Sequence, residues 1–279
     1  LDAAARIYST QPDPRLAQLM DGLISLIGRA QDPDGYLFTY NQVHFTGTRW
    51  KNLWIEHELY CHGHLIEAGV SHFQATGQTN LLDIVRKAAN RITADFRGKD
   101  SEHTSGHEDI EIALLRLYQA TGDQSHLEMA QQFIEQRGRK PRLAYTISTI
   151  RQIRSVAARL SQVRKERASY LAEHPEYPPK KLPPGNFAKS TSNSYFRWLA
   201  NELNGKYLQQ HAPIRHQTVP VGHSVRFGYL ETAVAMLARI QNDASLLPAM
   251  QQTWEHMVQC RMYITGGIGA VPALEGFGN

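Results

Sequence analysis

The sequence contains few cysteines and no long apolar segment, and these two absences limit the classes of protein it can belong to. Its 279 residues include only two cysteines, Cys61 and Cys260. Two distant cysteines do not make a disulfide framework, and no CxxC pair is present. No apolar run approaches the roughly 18 residues that a membrane-spanning helix requires. We therefore expect neither a disulfide-stabilised domain nor an integral membrane protein.

A strong excess of charge is absent as well. There are 30 basic and 26 acidic residues, which gives a formal net charge of +4. This balance is too mild to indicate nucleic-acid binding. Most of the excess lies between Arg151 and Arg167, and we interpret that run as the solvated face of a helix rather than a phosphate-binding patch. The chain begins with Leu1 and shows no signal peptide, so we expect a cytoplasmic protein whose sequence is truncated at both ends.

Helical periodicity is what the sequence has in abundance. Apolar residues recur at every third or fourth position, which is the spacing of amphipathic α-helices. The period-two alternation of β-strands is hard to find. The pattern predicts an all-α fold of about nine helices. Examples of these apolar faces are Leu16, Met20, Leu23, Ile24 and Ile27, and later Leu81, Ile84, Val85, Ala88 and Ile92.

The predicted helices are arranged in hairpins. Residues 74–78 and 119–123 have similar sequences, and each contains a glycine suited to the left-handed position that follows a helix. Asn242 has the same role between the last two helices. Hairpin repeats can form an open solenoid or a closed toroid whose inner helices surround a pocket. Histidines at several expected helix starts favour the toroid.

One region, at about residues 140–205, interrupts the repeat. It contains the basic helical stretch and then a proline-rich segment, residues 173–185. The proline-rich segment cannot be helical, because proline lacks the backbone donor and restricts its neighbour. We interpret the region as a long excursion over one face of the domain, and segments of this kind are usually functional or disordered.

Several polar segments could carry chemistry. Residues 56–64 combine histidines, carboxylates and a cysteine, but the HExxH motif is absent, so a metal site and a hydrogen-bonded polar pocket both stay open. His107 and His223 each follow a glycine at an expected helix start, where a neutral ligand contact and a purely structural role are both consistent. The helix dipole alone explains the acidic residues Glu108 and Asp109.

The C-terminal loop contains a glycine-rich stretch and a carboxylate. Residues 266–269 lack both the GxGxxG spacing and a preceding strand, so we exclude a nucleotide-binding loop. Glu275 lies six positions after Gly269. A carboxylate on such a loop can act as a general acid or base, or it can be an ordinary solvent-exposed residue.

Together these segments resemble the β-L-arabinofuranosidase family of glycoside hydrolases (family 127-like). The similarity runs from roughly Leu16 to Asn279, apart from the excursion. Several motifs stand in the family's order: residues 57–60, 63–68, 106–108, 110–114, 221–226 and 261–269.

The resemblance implies an (α/α)6 toroid of the six-hairpin type, incomplete in this chain. Residues 1–279 would form a partial barrel, and the rest of the barrel and any β-sandwich domains would lie downstream. The implied activity is retaining exo-cleavage of terminal β-L-arabinofuranosides, or of a related sugar, from plant-type glycans. His57, His107 and His223 match positions that contact the sugar, and Glu275 matches the general acid/base.

The resemblance also implies zinc in the complete enzyme, bound by a cysteine thiolate that is the nucleophile. The family's ligands, one Glu and three Cys, would all lie beyond residue 279, so no metal ligand is assigned in this chain. Cys61 and Cys260 do not match them. The sequence around Glu275 also differs slightly from the family's usual pattern. We therefore expect the 279-residue polypeptide to lack turnover.

Two alternatives remain open on the sequence. One is a non-catalytic helical-repeat scaffold that binds a partner. The other is a different toroid enzyme, such as an unsaturated-uronide hydrolase, whose anionic substrate would need a basic residue in the pocket; Arg226 is the evident candidate. For the leading hypothesis the expected partner is a carbohydrate, with no nucleic acid and no membrane. A homodimer is an arrangement open to the complete protein.

Overall fold

The computed structural model describes residues 1–176, 199–269 and 275–277. Within these ranges the chain forms α-helices joined by short turns and contains no β-strand, which confirms the predicted all-α class. A further helical stretch covers residues 199–203. The main helices are α1 Asp2–Thr10, α2 Pro14–Ala30, α3 Thr39–His44, α4 Glu58–Thr76, α5 Asn80–Phe96, α6 Asp109–Thr121, α7 Gln124–Gln136, α8 Arg142–Glu173, α9 Ser224–Gln241 and α10 Leu247–Cys260.

The predicted hairpin turns are confirmed. Gly77 ends α4 with φ 71°, Gly122 ends α6 with φ 73°, and Asn242 ends α9 with φ 54°. All three adopt the left-handed conformation that closes a helix. Asp123 and Asp243 then accept hydrogen bonds from backbone N–H groups two residues ahead, and so start the next helical segment.

The hairpins form two layers. In the inner layer α4 packs against α1 and α6, and α6 packs in turn against α9. In the outer layer α5 packs against α2 and α7, while α10 pairs with α9. The core lies between the layers and excludes solvent almost completely, so its burial is the main stabilising contribution. It includes Ile66, Val70, Ile92, Ile110, Leu114, Phe133 and Leu230.

The long helix α8 packs against residues 45–57, the segment that joins α3 to α4. Tyr145 stacks on Trp54 with ring centroids 4.8 Å apart, and the side chain of Gln152 accepts a hydrogen bond from the Trp54 backbone N–H. Arg159 is buried and forms an ion pair with Glu56 at 2.6 Å. The interpretation of the basic run as a solvated face is therefore wrong for Arg159, because helical periodicity turns this one position toward the protein. The proline-rich segment lies mostly outside the described residues.

Two glycines bring the backbone close to neighbouring segments directly before pocket histidines. A Cβ atom on Gly106 would lie 2.3 Å from the carbonyl oxygen of Trp54. Gly222 has φ 70°, and a Cβ there would lie 2.0 Å from the carbonyl oxygen of Lys206. The Gly-His dipeptides at residues 106–107 and 222–223 are thus positions where only glycine fits. The third pair, Gly63-His64, lies inside α4 instead.

None of the described helices is long and apolar enough to cross a membrane.

We predict that Gly106→Ala destabilises the chain by about 1–3 kcal/mol, because the new methyl group overlaps backbone that cannot retreat. Gly228→Ala is the matched control: Gly228 is inside α9, and a methyl group there would meet no described atom within 4 Å. This control should stabilise the chain by about 0.5–1 kcal/mol through helix propensity. Urea unfolding followed by circular dichroism measures both values, and equal effects would contradict the packing argument.

Candidate active site

The three predicted histidines come together at the N-terminal ends of the inner helices. His57 is the N-cap residue of α4, His107 precedes α6, and His223 is the N-cap residue of α9. The ring centroids of His57 and His107 are 6.0 Å apart, and those of His107 and His223 are 6.2 Å apart. Because the inner helices start at the same end of the layer, their first residues line one cavity.

Glu275 joins this cluster through contacts with the start of α9. The backbone N–H and the hydroxyl of Ser224 both donate to the Glu275 carbonyl oxygen, at 2.9 and 2.7 Å. Phe277 N–H donates to the Gly222 carbonyl oxygen at 2.9 Å. Glu275 has φ 47°, a conformation that is uncommon for a residue with a side chain. The backbone contacts hold it there, and its side chain is 70% exposed.

The hydrogen bonds of His223 define which ring nitrogen carries its proton. Nδ1 accepts from the backbone N–H groups of Val225 and Arg226, at 3.2 and 3.4 Å. In a neutral ring the proton therefore resides on Nε2. Nε2 lies 3.2 Å from the Glu275 carboxylate. His223 thus presents an N–H donor to the carboxylate that the sequence predicted as the acid/base.

Aromatic rings form one wall of the cavity. The Tyr60 ring lies 4.3 Å from His107 and 5.4 Å from His57, between centroids. Tyr229 lies 5.1 Å from His107, and Tyr207 lies 5.3 Å from His223. Nothing in the sequence marks these tyrosines as part of the site. Tyr60 and Tyr229 have the helical spacing of ordinary core positions, and Tyr207 lies in a turn. Only the three-dimensional packing shows that the three rings face the histidines.

Arg226 is a buried cation behind the imidazoles. It is 6% exposed, and its Nε and Nη1 atoms form no hydrogen bond with the part of the chain that the structure describes. Burial and then the Arg226 charge lower the pKa of His107 to about 2 and that of His223 to about 3. The same causes lower the pKa of His57. All three rings are therefore neutral at physiological pH. A neutral ring has one donor and one acceptor nitrogen, and in His223 the acceptor already binds the backbone, which leaves its Nε2–H for contacts in the cavity.

The low pKa of His107 predicts acid sensitivity that a His107→Gln variant lacks. The folded state keeps the ring neutral, whereas the unfolded chain protonates it below a pKa of about 6.5. Its contribution is thus complete above pH 6.5 and is lost as the pH falls. Between pH 7 and pH 5 the wild type should lose about 2 kcal/mol more unfolding free energy than the variant. Urea titrations at both pH values measure this, and parallel losses would contradict it.

A buried ion-pair network supports the loop that carries His107. Arg137 is fully buried and lies 2.8 Å from carboxylate oxygens of both Glu108 and Glu111. It also donates to the carbonyl oxygens of Ser105 and Leu208, each at 3.1 Å. One guanidinium thus connects the loop before α6 to the segment that leads toward α9.

The network extends from Leu208 to the next pocket histidine. Gln209 follows Leu208 and adopts a left-handed φ of 57°. Its side-chain amide donates to the Val221 carbonyl oxygen at 2.9 Å, two residues before His223.

Burial raises the pKa of Glu108 to about 8, although the adjacent Arg137 opposes that rise. Arg137 is therefore needed to compensate carboxylates that water cannot reach.

We predict that Arg137→Met destabilises the fold by about 3–5 kcal/mol, because two buried carboxylates lose their counter-charge. Arg139→Met is the control: Arg139 is 57% exposed and pairs with Glu135 near the end of α7. Such surface pairs contribute about 0–1 kcal/mol. Thermal and urea unfolding of both variants give the comparison. A small loss for Arg137→Met would mean that the carboxylates are compensated in another way.

The described cysteines do not fit the cysteine-ligated zinc centre that the resemblance implies. Cys61 and Cys260 are exposed, free thiols on different helices. Desolvation and the nearby carboxyls of Asp109 and Glu58 raise the pKa of the Cys61 thiol, which disfavours a thiolate. A separate group could hold a metal ion, since ligand atoms of His64, Glu67 and Asp109 lie within 4.8 Å of one another.

Comparison with known proteins identifies the family. A family model described as "Beta-L-arabinofuranosidase, GH127 catalytic domain" matches residues 1–279. The chain belongs to this GH127 family. One relative, the non-reducing end β-L-arabinofuranosidase of Bifidobacterium longum subsp. longum, is 31% identical over 284 residues, which cover 99% of the chain and 37% of the relative.

Two solved GH127 structures resemble the chain. One is a GH127 β-L-arabinofuranosidase from Geobacillus stearothermophilus T6, with a TM-score of 0.75, 39% identity and coverage of 99% of this chain and 37% of that one. The other is a GH127 β-arabinofuranosidase, with a TM-score of 0.73, 29% identity and coverage of 100% and 36%. These matches confirm the predicted family and its helical toroid fold. The chain spans about 37% of the length of the Bifidobacterium longum relative.

Proposed function

We propose that this GH127 chain supplies the sugar-binding and acid/base part of an enzyme that hydrolyses terminal β-L-arabinofuranosides. The observation that carries the proposal is the convergence of three neutral imidazoles on one cavity that also holds the Glu275 carboxylate. The Bifidobacterium longum relative is named as an enzyme of the non-reducing end, which supports a terminal sugar as the substrate. Family membership favours this hypothesis over a non-catalytic scaffold and over an unsaturated-uronide hydrolase.

The neutral imidazoles suit recognition of a polyhydroxylated, uncharged ligand. A sugar hydroxyl both donates and accepts hydrogen bonds, and so does a neutral imidazole. We assign His57, His107 and His223 to hydroxyl contacts and the flanking Tyr60 to ring packing. Arg226 is 6% exposed, so it presents little surface to a ligand, and its charge reinforces the effect of burial on the imidazoles.

We assign Glu275 as the general acid/base. Its carboxylate is largely exposed to solvent, so a leaving oxygen can approach it. The N–H of His223 orients it at 3.2 Å. In a retaining mechanism the same residue protonates the leaving oxygen and then removes a proton from the incoming water. A carboxyl that exchanges protons in both steps needs solvent access of this kind.

We propose a cysteine-ligated zinc on the family resemblance alone, and we assign no residue of this chain to it as a ligand. The roles given to the imidazoles and to Glu275 do not depend on that metal. A cytoplasmic location and a homodimer also stay predictions for the complete protein.

Glu275→Gln tests the assignment in the whole protein. We predict a loss of about 10²–10⁴-fold in kcat/KM for alkyl or glycan β-L-arabinofuranosides, whose leaving oxygen needs protonation. Substrates with an acidic phenol as leaving group should lose much less, because that oxygen departs without a proton. Glu255→Gln is the matched control, since Glu255 is exposed on α10. Unchanged activity of Glu275→Gln on the alkyl substrate would remove Glu275 from the mechanism.

A further inference from the structure

A second group of polar side chains lies next to the imidazole cavity, and the proposed function leaves it without a role. His64 and Glu67 are three residues apart on α4, and Asp109 is the first residue of α6. One ligand atom of each lies within 4.8 Å of the other two. The Tyr60 ring lies between this group and the imidazoles, 4.3 Å from His64 on one side and 4.3 Å from His107 on the other.

The environment of the Asp109 carboxyl indicates that this side chain binds an additional ligand. Its side chain is fully buried, and neither carboxylate oxygen accepts a hydrogen bond from the part of the chain that the structure describes. The nearest ionisable partner is the His64 Nδ1 atom, 3.7 Å from Oδ2, which is beyond hydrogen-bond distance. A buried carboxylate without hydrogen bonds lowers the stability of the folded state unless a cation or a proton compensates its charge.

The position of Asp109 at the start of α6 does not explain its burial. An acidic residue in a first turn usually accepts a hydrogen bond from a free backbone N–H. Among the described residues, the α6 terminus has no such side-chain bond. The carboxylate points instead toward α4 and toward the His64 ring. The dipole explanation from the sequence is therefore incomplete for this residue.

The other two side chains leave room for an ion to enter. His64 is 44% exposed and Glu67 is 17% exposed. Glu67 uses Oε1 to bind Nη1 of Arg116 at 2.6 Å, which leaves Oε2 available as a ligand and fixes the carboxylate. A carboxylate held in this way by a second residue is a common feature around protein-bound metals.

The donor set has a defined chemical preference. One imidazole nitrogen and two carboxylate oxygens suit zinc and similar first-row divalent ions better than calcium or magnesium, which prefer oxygen alone. Helical metal proteins use this geometry: two ligands lie at positions i and i+3 of one helix, and another ligand lies on a neighbouring helix. The remaining coordination positions would be filled by water.

We propose that His64, Glu67 and Asp109 form a mononuclear divalent-cation site that ties α4 to α6 behind Tyr60. It differs from the cysteine-ligated zinc that the family resemblance implies, because it contains no sulfur ligand. The ion compensates Asp109 and fixes the two helices that position His57 and His107.

The test uses the 279-residue chain itself, stripped of metal with a chelator and dialysed. Zn²⁺ is titrated in by calorimetry, and Tm is measured with and without it. We expect one Zn²⁺ per chain and a higher Tm in its presence, as for any ligand that binds the folded state. Co²⁺ substitution should show no sulfur-to-metal charge-transfer band.

Variants connect the binding to these residues. His64→Ala and Asp109→Asn should each weaken Zn²⁺ binding by at least about tenfold. Asp109→Asn removes a carboxylate ligand but keeps nearly the same shape, so it should abolish the Tm response to Zn²⁺ without lowering the metal-free Tm. His64→Ala changes a half-exposed side chain, so this variant should fold and still test Zn²⁺ binding if Asp109→Asn folds poorly. The controls are Cys61→Ser and His103→Ala, a surface histidine paired with Asp100; both should bind Zn²⁺ like the wild type.

The proposal fails if the wild type binds Zn²⁺ more weakly than about 100 μM. It also fails if His64→Ala binds normally, or if Cys61→Ser loses binding, because the ion would then be held elsewhere. These measurements need no catalysis, so their failure would leave the proposed glycosidase function untouched.

Discussion

The compensation of buried carboxylates by Arg137 is the constraint on which the pocket depends. The start of α6 places Glu108, Asp109 and Glu111 inside the protein, all with no exposed surface. Transfer of such groups from water is unfavourable by several kcal/mol each unless a counter-charge is close. Arg137 lies 2.8 Å from two of them. Without it, the loop that carries His107 would have to open toward solvent.

This compensation is local, and two buried groups nearby keep polar atoms without hydrogen-bond partners in the described residues. Within the described part of the chain, Arg226 has free N–H groups behind the imidazoles, and Asp109 has free oxygens behind Tyr60. Buried polar atoms without partners are rare where only stability matters, and perturbed ionisable groups cluster at functional sites. The two groups have different roles. Arg226 reinforces the effect of burial, which keeps the imidazoles neutral, whereas the Asp109 carboxyl offers oxygen ligands to a cation.

Much of the fold could be predicted from the sequence because its signals are local. The left-handed residues Gly77, Gly122 and Asn242 are all where helix-ending chemistry requires them. The pocket histidines were also detectable, since a glycine precedes His107 and His223. The structure explains that signal: each glycine allows backbone contact that a side chain would block. Local sequence and tertiary packing agree at these positions, as minimally frustrated sequences require.

The supporting residues could not be predicted, because nothing local marks them. Arg137 lies 26 residues after Glu111, in a turn whose sequence is typical of a solvent-exposed segment. Arg159 belongs to a basic run whose other members mostly face solvent, and only its helical phase against Glu56 buries it. Asp109 resembled a dipole-stabilising residue until its missing hydrogen bonds were visible. In each case the decisive quantity is a distance between segments far apart in the chain.

The layered arrangement itself explains why the site favours neutral imidazoles. Hairpin repeats place an outer helix between successive inner helices, so α4, α6 and α9 all begin at the same end. Helix N-termini carry partial positive charge. Three of them meet at the cavity, and Arg226 adds a full charge. Burial first, and then these positive charges, disfavour imidazolium ions at His57, His107 and His223 before any ligand arrives. A ring of neutral donors and acceptors follows from the fold, and it matches the hydroxyls of an uncharged sugar better than the carboxylate of a uronide.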